Sequence, residues 1–353
     1  MASLIDWKLA ARTAKALAPA PPAVEPAVAA AAVDQLRADV DIAAQHVADI
    51  TLLQEPPVRA LTRVVDRDGW IDVNTAGMAT VMTRVGDKLT KAQSNGKLAQ
   101  AIGARATGVQ AGALIAFLSG KVLGQFEFFA QPEGQLLLVA PNVVAVERAL
   151  RVSPEDFRLW VCLHEVTHRV QFTAVPWMRQ HLVSEIDALT DELDADPDVL
   201  RERLKEAVKA LRGRRSGGDD ADGDRPGGML SLLATPEQRA IVDRLTAFMS
   251  LVEGHAEYVM NAVSKDVIPS QKTIERRFGA RRRKGGNPLD RVVRKLLGLD
   301  AKTRQYVEGS SFVRGVVERI GVEGFNAVWT SPDTLPTRAE IAAPADWVAR
   351  VHG

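Results

Sequence analysis

Apolar residues recur three and four positions apart through most of this chain, a period that predicts helices with one buried face. The clearest helix starts at Ser153-Pro154-Glu155-Asp156, which offers a Ser cap, a proline in the first turn and an acidic residue three after the cap. Leu159, Leu163, Val166 and Val170 then form its apolar stripe, and Pro176 marks its end. A second helix has the same kind of start at Thr235-Pro236-Glu237-Gln238 and continues through Ile241, Leu245, Phe248, Val252 and Val259. Nearer the N-terminus, Ser3 to Leu17 reads as a short helix with Lys8, Arg12 and Lys15 on its polar side, docked on its own domain. A stiff Ala18-Pro19-Ala20-Pro21-Pro22 spacer and an alanine-rich helix from Pro26 to Leu52 follow. Arg63 to Lys97 has mixed periodicity around Trp70 and is expected to add further helices.

The period changes between Lys121 and Ala140. Gln125-Phe126-Glu127-Phe128 alternates, Gln131-Pro132-Glu133-Gly134 supplies turn residues, and Leu136 to Val139 is continuously apolar, which predicts a hairpin. Val183 to Leu211 reads as a charged helical stretch. Residues 213–228 are so rich in Gly, Asp and Pro that they bury no apolar surface, and a mobile loop is expected there. Its aspartates lack the order and closing glutamate of a calcium loop. No internal repeat is apparent. These elements describe a predominantly helical α+β protein with a small hairpin or sheet. We divide it into an N-terminal helical region, 1–110, and a second domain, 111–353.

Composition narrows the classes. At 353 residues, 46% hydrophobic and 25% charged, the chain can bury a large core. A net charge of +1 gives no whole-chain field toward nucleic acid or membrane. One cysteine excludes an internal disulfide and fits a reducing compartment. With no signal-like apolar run at the start and none of membrane-spanning length later, the expected location is the cytoplasm and no membrane partner is expected.

The chemistry lies inside the helix that begins at Ser153. His164-Glu165-Val166-Thr167-His168 places two imidazoles four residues apart, and at roughly 100° per residue these stack on one face and can share one ion. Glu165 lies about 100° round from His164, unsuited as a ligand but placed to act as general base on a water at the ion. Arg169, directly after the second histidine, departs from the uncharged pattern expected of a buried segment. Cys162 points to nearly the opposite side and reads as core filling.

A zinc ion needs a third protein ligand, and Glu253-Gly254-His255-Ala256-Glu257 is the best source. Glu253 and Glu257 share a helix face, whereas His255 is about 200° from Glu253, so a regular helix aims only one of them at the ion. Gly254 costs about 1 kcal/mol relative to Ala inside a helix, which suggests close approach of another backbone, that of the catalytic helix, and favours Glu253. Glu257, His255 and His181 remain open as the third ligand at this point.

His164-Glu165-x-x-His168 followed by a distal Glu253-Gly254-x-Ala256 resembles the gluzincin arrangement, in which two histidines and a downstream glutamate bind zinc and the motif glutamate is the base. His164 to Phe172, Glu253 to Met260, Leu296 to Tyr306 and Ser331-Pro332-Asp333-Thr334-Leu335-Pro336 further resemble a bacterial family of zinc-dependent metalloproteases. A subset of that family is associated by genome context with biosynthesis of a deazaflavin coenzyme. The resemblance covers about residues 110 to 350, although Met260-Asn261 stands where the family pattern has Met-Asp. It implies a zincin-like core, zinc as cofactor, His164, His168 and Glu253 as ligands, Glu165 as catalytic base, and a peptide or protein substrate. Such folds place a sheet edge beside the catalytic helix, where an extended peptide can pair.

Other residues carry competing readings. Tyr306 follows the Leu296 to Asp300 stretch and can donate to the oxyanion of a tetrahedral intermediate, whereas Tyr258 lies about 140° from Glu253 and is less suited. Arg276 to Lys284 is a dense basic run around Phe278, read first as a solvated face and second as a nucleic-acid contact. Two rival functions therefore accompany the peptidase: a metal-holding scaffold without turnover, and a nucleic-acid-associated protein using residues 276–284. Substrate preference and oligomeric state are not encoded in any recognisable feature.

Overall fold

The computed structural model describes residues 4–90, 97–131, 133–192, 235–284 and 299–353. Its centre is a three-stranded sheet in the order β1-β3-β2. Strand β3, Gln135–Val139, is buried along its whole length, as its unbroken apolar run requires. Strand β2, Gly124–Glu127, pairs with it antiparallel, from Gly124 opposite Leu138 to Glu127 opposite Gln135. This is the hairpin that the alternation and turn residues predicted, with Gly134 taking the left-handed backbone (φ 69°) at its turn.

Strand β1, Leu61–Val65, pairs parallel to β3 on the other side, from Leu61 opposite Gln135 to Val65 opposite Val139. It corrects the expectation that Arg63 onward is helical. Leu61-Thr62-Arg63-Val64-Val65 is rich in β-branched residues, but its strand character depends on a partner far along the chain, which local periodicity cannot register. The expected helix begins just after it, at Arg67.

Helices cover both faces of the sheet. Leu136 and Leu138 point into a core shared with α2, Pro26–Thr51, α5, Ala140–Leu150, and α6, Pro154–Ala174. Leu137 and Val139 point the other way, against Ala14 of α1, Trp7–Leu17, Trp70 and Ile71 of α3, Arg67–Thr90, and Ile115 of α4, Lys97–Ser119. A further core gathers α7, Trp177–Asp191, α8, Pro236–Ala262, and α10, Leu299–Phe325. Against it pack α11, Arg338–Ala342, and α12, Pro344–His352. Helix α9, Gln271–Lys284, closes the end of α6, where Phe278 meets Trp160 edge-on. Gly321 (φ 72°) breaks α10 near its end.

The helix starts written in the sequence are used as predicted. Ser153 Oγ accepts from the Asp156 amide at the head of α6. At the head of α8, Thr235 Oγ1 accepts from Gln238 N (3.0 Å) and Gln238 Oε1 accepts from Thr235 N (2.9 Å), a reciprocal cap worth about 1 kcal/mol.

Arg169 is buried and is matched by Glu55, with Nε to Oε1 at 2.7 Å and Nη2 to Oε2 at 3.0 Å, while Nη1 donates to Thr62 of β1. The charge next to the histidine motif is thus a tie between α6 and the segment leading into the sheet. Cys162 is fully buried, and burial pushes its thiol well up, which suits core filling. Gly254 is the site of a close backbone approach, but its neighbour is Gly309 of α10 and not α6, as the sequence reading had it. The approach is mutual, since a Cβ on Gly309 would overlap the Ser250 carbonyl of α8. Among the described residues no helix is long and apolar enough to cross a membrane. The expected loop at 213–228 lies outside the described residues.

Candidate metal centre

Helices α6 and α8 each bring part of one cluster. His164 and His168, one turn apart on α6, have their Nε2 atoms 3.2 Å apart with the rings nearly perpendicular (83°). Glu253 of α8 places Oε2 3.6 Å from each of those nitrogens. Among the described residues these three form a group able to hold a metal ion. A tetrahedral zinc with bonds of about 2.0–2.1 Å separates its ligand atoms by about 3.3–3.4 Å. The observed triangle, 3.2 by 3.6 by 3.6 Å, therefore fits one face of that tetrahedron. The donor set, two imidazoles and a carboxylate, also suits zinc. The imidazoles keep 17% and 11% of their side-chain surface exposed, so the centre is reachable from solvent.

The electrostatics run the same way. Burial alone would lower the pKa of His168, but the Glu253 carboxylate, helped by Glu165 and Gln171, more than offsets it and raises the imidazole above its ordinary value. Glu253 thus concentrates negative charge where a cation, or failing that a proton, is held. His255 shows the opposite. It is buried, and burial together with nearby His168 pushes it down to about 3, so it stays neutral.

Of the sequence-predicted residues, His164, His168 and Glu253 come together. Glu165 sits beside them, buried to 7% exposure, with its side chain lying over Gly124 of β2. A Cβ at Gly124 would come within 2.6 Å of Glu165 Cγ and 2.7 Å of Cδ, so the glycine leaves the room that the carboxylate occupies. The other third-ligand options are not brought in. His255 faces Gln171, Phe325 and Trp329. His181 packs between Trp177 and Phe248, and Glu257 is not among the converging residues. The side chain of Tyr306 lies outside the described residues. In the basic run, Arg277 donates to the carbonyls of Leu150 and Arg151, Arg276 and Arg281 are exposed, and the side chains of 282–284 lie outside the described residues.

Two residues at the site were missed from sequence. Gly124 is not singled out by the sequence reading, although a glycine inside a strand pattern is a signal of close approach. Gln171 is seven residues beyond His164, almost exactly two turns, so a polar residue there falls on the same stripe as both histidines. Its carboxamide contacts His168 Nδ1 at 2.9 Å.

A mostly helical protein with a small sheet and a His-His-Glu cluster beside a buried glutamate is the arrangement of a zincin-type hydrolase. The chain belongs to the zincin-like metallopeptidase family, whose pattern it matches over residues 5–348. It is also similar to a protein from Chloroflexus aurantiacus, described from its crystal structure as a proposed hydrolase with a novel fold. That likeness has 30% identity and a TM-score of 0.70 and covers 99% of each chain. No curated protein matches the chain.

Proposed function

We propose that the protein is a zinc-dependent peptidase in which His164, His168 and Glu253 bind the metal and Glu165 is the general base. Family membership supports a metal hydrolase. The observation that carries the step to peptide substrates is the placement of Glu165 directly over Gly124, in a strand that lies at the edge of the sheet. An extended peptide pairing with β2 would run beside that carboxylate, with its amides fixed by backbone hydrogen bonds.

A bound zinc ion supplies Lewis acidity, polarising a carbonyl and making water more acidic. Glu165 accepts a proton from the attacking water and returns it to the departing amine, and its packing against β2 keeps it in one position for both transfers. The remaining surface of β2 holds the substrate backbone in line, which is where most of the orientational advantage comes from.

Wild type and Glu165→Gln, both loaded with zinc, should be screened against peptide libraries and cell extracts. Turnover by wild type, reduced by about 10²–10⁴-fold in the variant with zinc retained, is the expected result. Zinc-loaded wild type that cleaves nothing, or a variant as active as wild type, would instead favour a metal-holding scaffold.

A further inference from the structure

The carboxamide of Gln171 is fully buried between the two helices that carry the metal-site residues, and its three neighbours fix which way it faces. Val252 O can only accept, so the Gln171 atom 3.0 Å from it is the amide nitrogen. That nitrogen's second proton goes to His255 Nδ1 at 2.9 Å. The remaining atom is the oxygen, 2.9 Å from His168 Nδ1, which must therefore carry the ring proton. In the neutral ring the lone pair then sits on His168 Nε2, the atom that faces His164 Nε2 and Glu253 Oε2.

We propose that Gln171 is a positioning residue of the metal centre, holding His168 in the Nε2-ligating tautomer and tying that ring, through Val252 and His255, to the turn of α8 that presents Glu253. The proposal rests on the reading of His164, His168 and Glu253 as metal ligands and extends it to a residue outside the histidine motif. Val252 immediately precedes Glu253 and His255 is two residues beyond it, so one amide couples ring orientation to the spacing of α6 and α8. An amide is suited to both tasks, because it accepts on one side and donates twice on the other. A carboxylate would keep the bond from His168 but could not donate to Val252 O. An apolar side chain of similar length would lose all three bonds.

Those differences define the test. Zinc affinity is measured by competition with a chromogenic chelator, and coordination by the visible spectrum of the cobalt-substituted full chain. Wild type, Gln171→Met, Gln171→Glu and His255→Leu are compared, with His164→Ala and Glu253→Ala as controls on the ligand reading. Gln171→Met should bind zinc about 10–100-fold more weakly and shift the cobalt spectrum, with its circular dichroism unchanged. Gln171→Glu should recover the affinity to within about threefold and the cobalt spectrum, while its metal-free form unfolds at lower urea than wild type. His255→Leu, which leaves Val252 O to hold the amide, should lose less affinity than Gln171→Met. Wild-type affinity and spectrum in Gln171→Met overturn the proposal while leaving the ligand reading intact. Should Gln171→Met fail to fold, Gln171→Glu decides: losing as much affinity as the ligand controls overturns the proposal, and recovery supports it. A wild type that binds zinc no better than the two controls overturns the ligand reading itself.

Discussion

Gly254→Ala is the substitution whose sign is least expected from sequence and most clearly set by the structure. In an open helix the change should stabilise, since Ala is favoured over Gly by about 1 kcal/mol. At this position the new Cβ would overlap the Gly309 carbonyl carbon and lie 2.5 Å from Gly309 Cα and Ser310 N, against the roughly 3.5–4.0 Å of ordinary carbon contacts. These are backbone atoms, so no rotamer change relieves them and α8 and α10 must move apart by about 1 Å. Overpacking of this kind costs about 1–3 kcal/mol, and a backbone clash belongs at the upper end. Less the propensity gain, the net is a destabilisation of about 2 kcal/mol. Helix α10 should be the one that yields, because Gln171 pins α8 to α6 on the other side. Zinc affinity should therefore fall by less than about tenfold, a coupling loss of under about 1.4 kcal/mol. Urea unfolding of the metal-free protein provides the assay, since bound metal would add its own stability. Gly103→Ala is an internal control: nothing lies within 4 Å of its added Cβ, and it should gain about 0.5–1 kcal/mol. A Gly254→Ala protein as stable as wild type, or more stable, would refute the close helix contact.

Gly124→Ala should separate catalysis from metal binding. Its Cβ would press on Glu165 and on the Leu137 carbonyl (2.9 Å), displacing the base, so turnover of any peptide substrate should drop by about 10²-fold with zinc affinity held within a few-fold. Unchanged turnover would remove Glu165 from the chemistry. Asp39, buried on α2, has its carboxyl pushed up to about 6, chiefly by burial and against the pull of Arg158 and Gln35. Its folded-state pKa lies above the unfolded one, so its contribution to stability is full below about pH 4 and is lost as the pH rises through 6. Asp39→Asn should thus stabilise at pH 8 by about 1–2 kcal/mol and by much less at pH 4.5. Equal urea midpoints of the two proteins at pH 8 would contradict this.

The parts of the molecule legible in sequence are those specified over short distances. The caps at Ser153 and Thr235 and the period of their helices were readable because each is a local hydrogen-bond or burial requirement. The same holds for the hairpin around Gly134 and for the exclusion of His255 from the Glu253 face, which follows from helix geometry alone. What was not legible depends on distant partners. Strand β1 exists because β3 offers it a parallel edge. Arg169 looked anomalous until Glu55 stood opposite it. Gly254 announced a close contact but not with which helix, since a missing Cβ carries no address. Gln171 shares the histidines' side of α6, but its part in the site has meaning only once Val252, His255 and His168 surround it.

The central claim is that His164, His168 and Glu253 grip one cation. Its most direct test is metal content of the purified full chain after zinc loading and exhaustive desalting, for wild type, His164→Ala and Glu253→Ala. One tightly held zinc per wild-type chain, lost from both variants, is the expected result. Zinc retained in full when Glu253 is truncated, or a wild type that retains none, would contradict it.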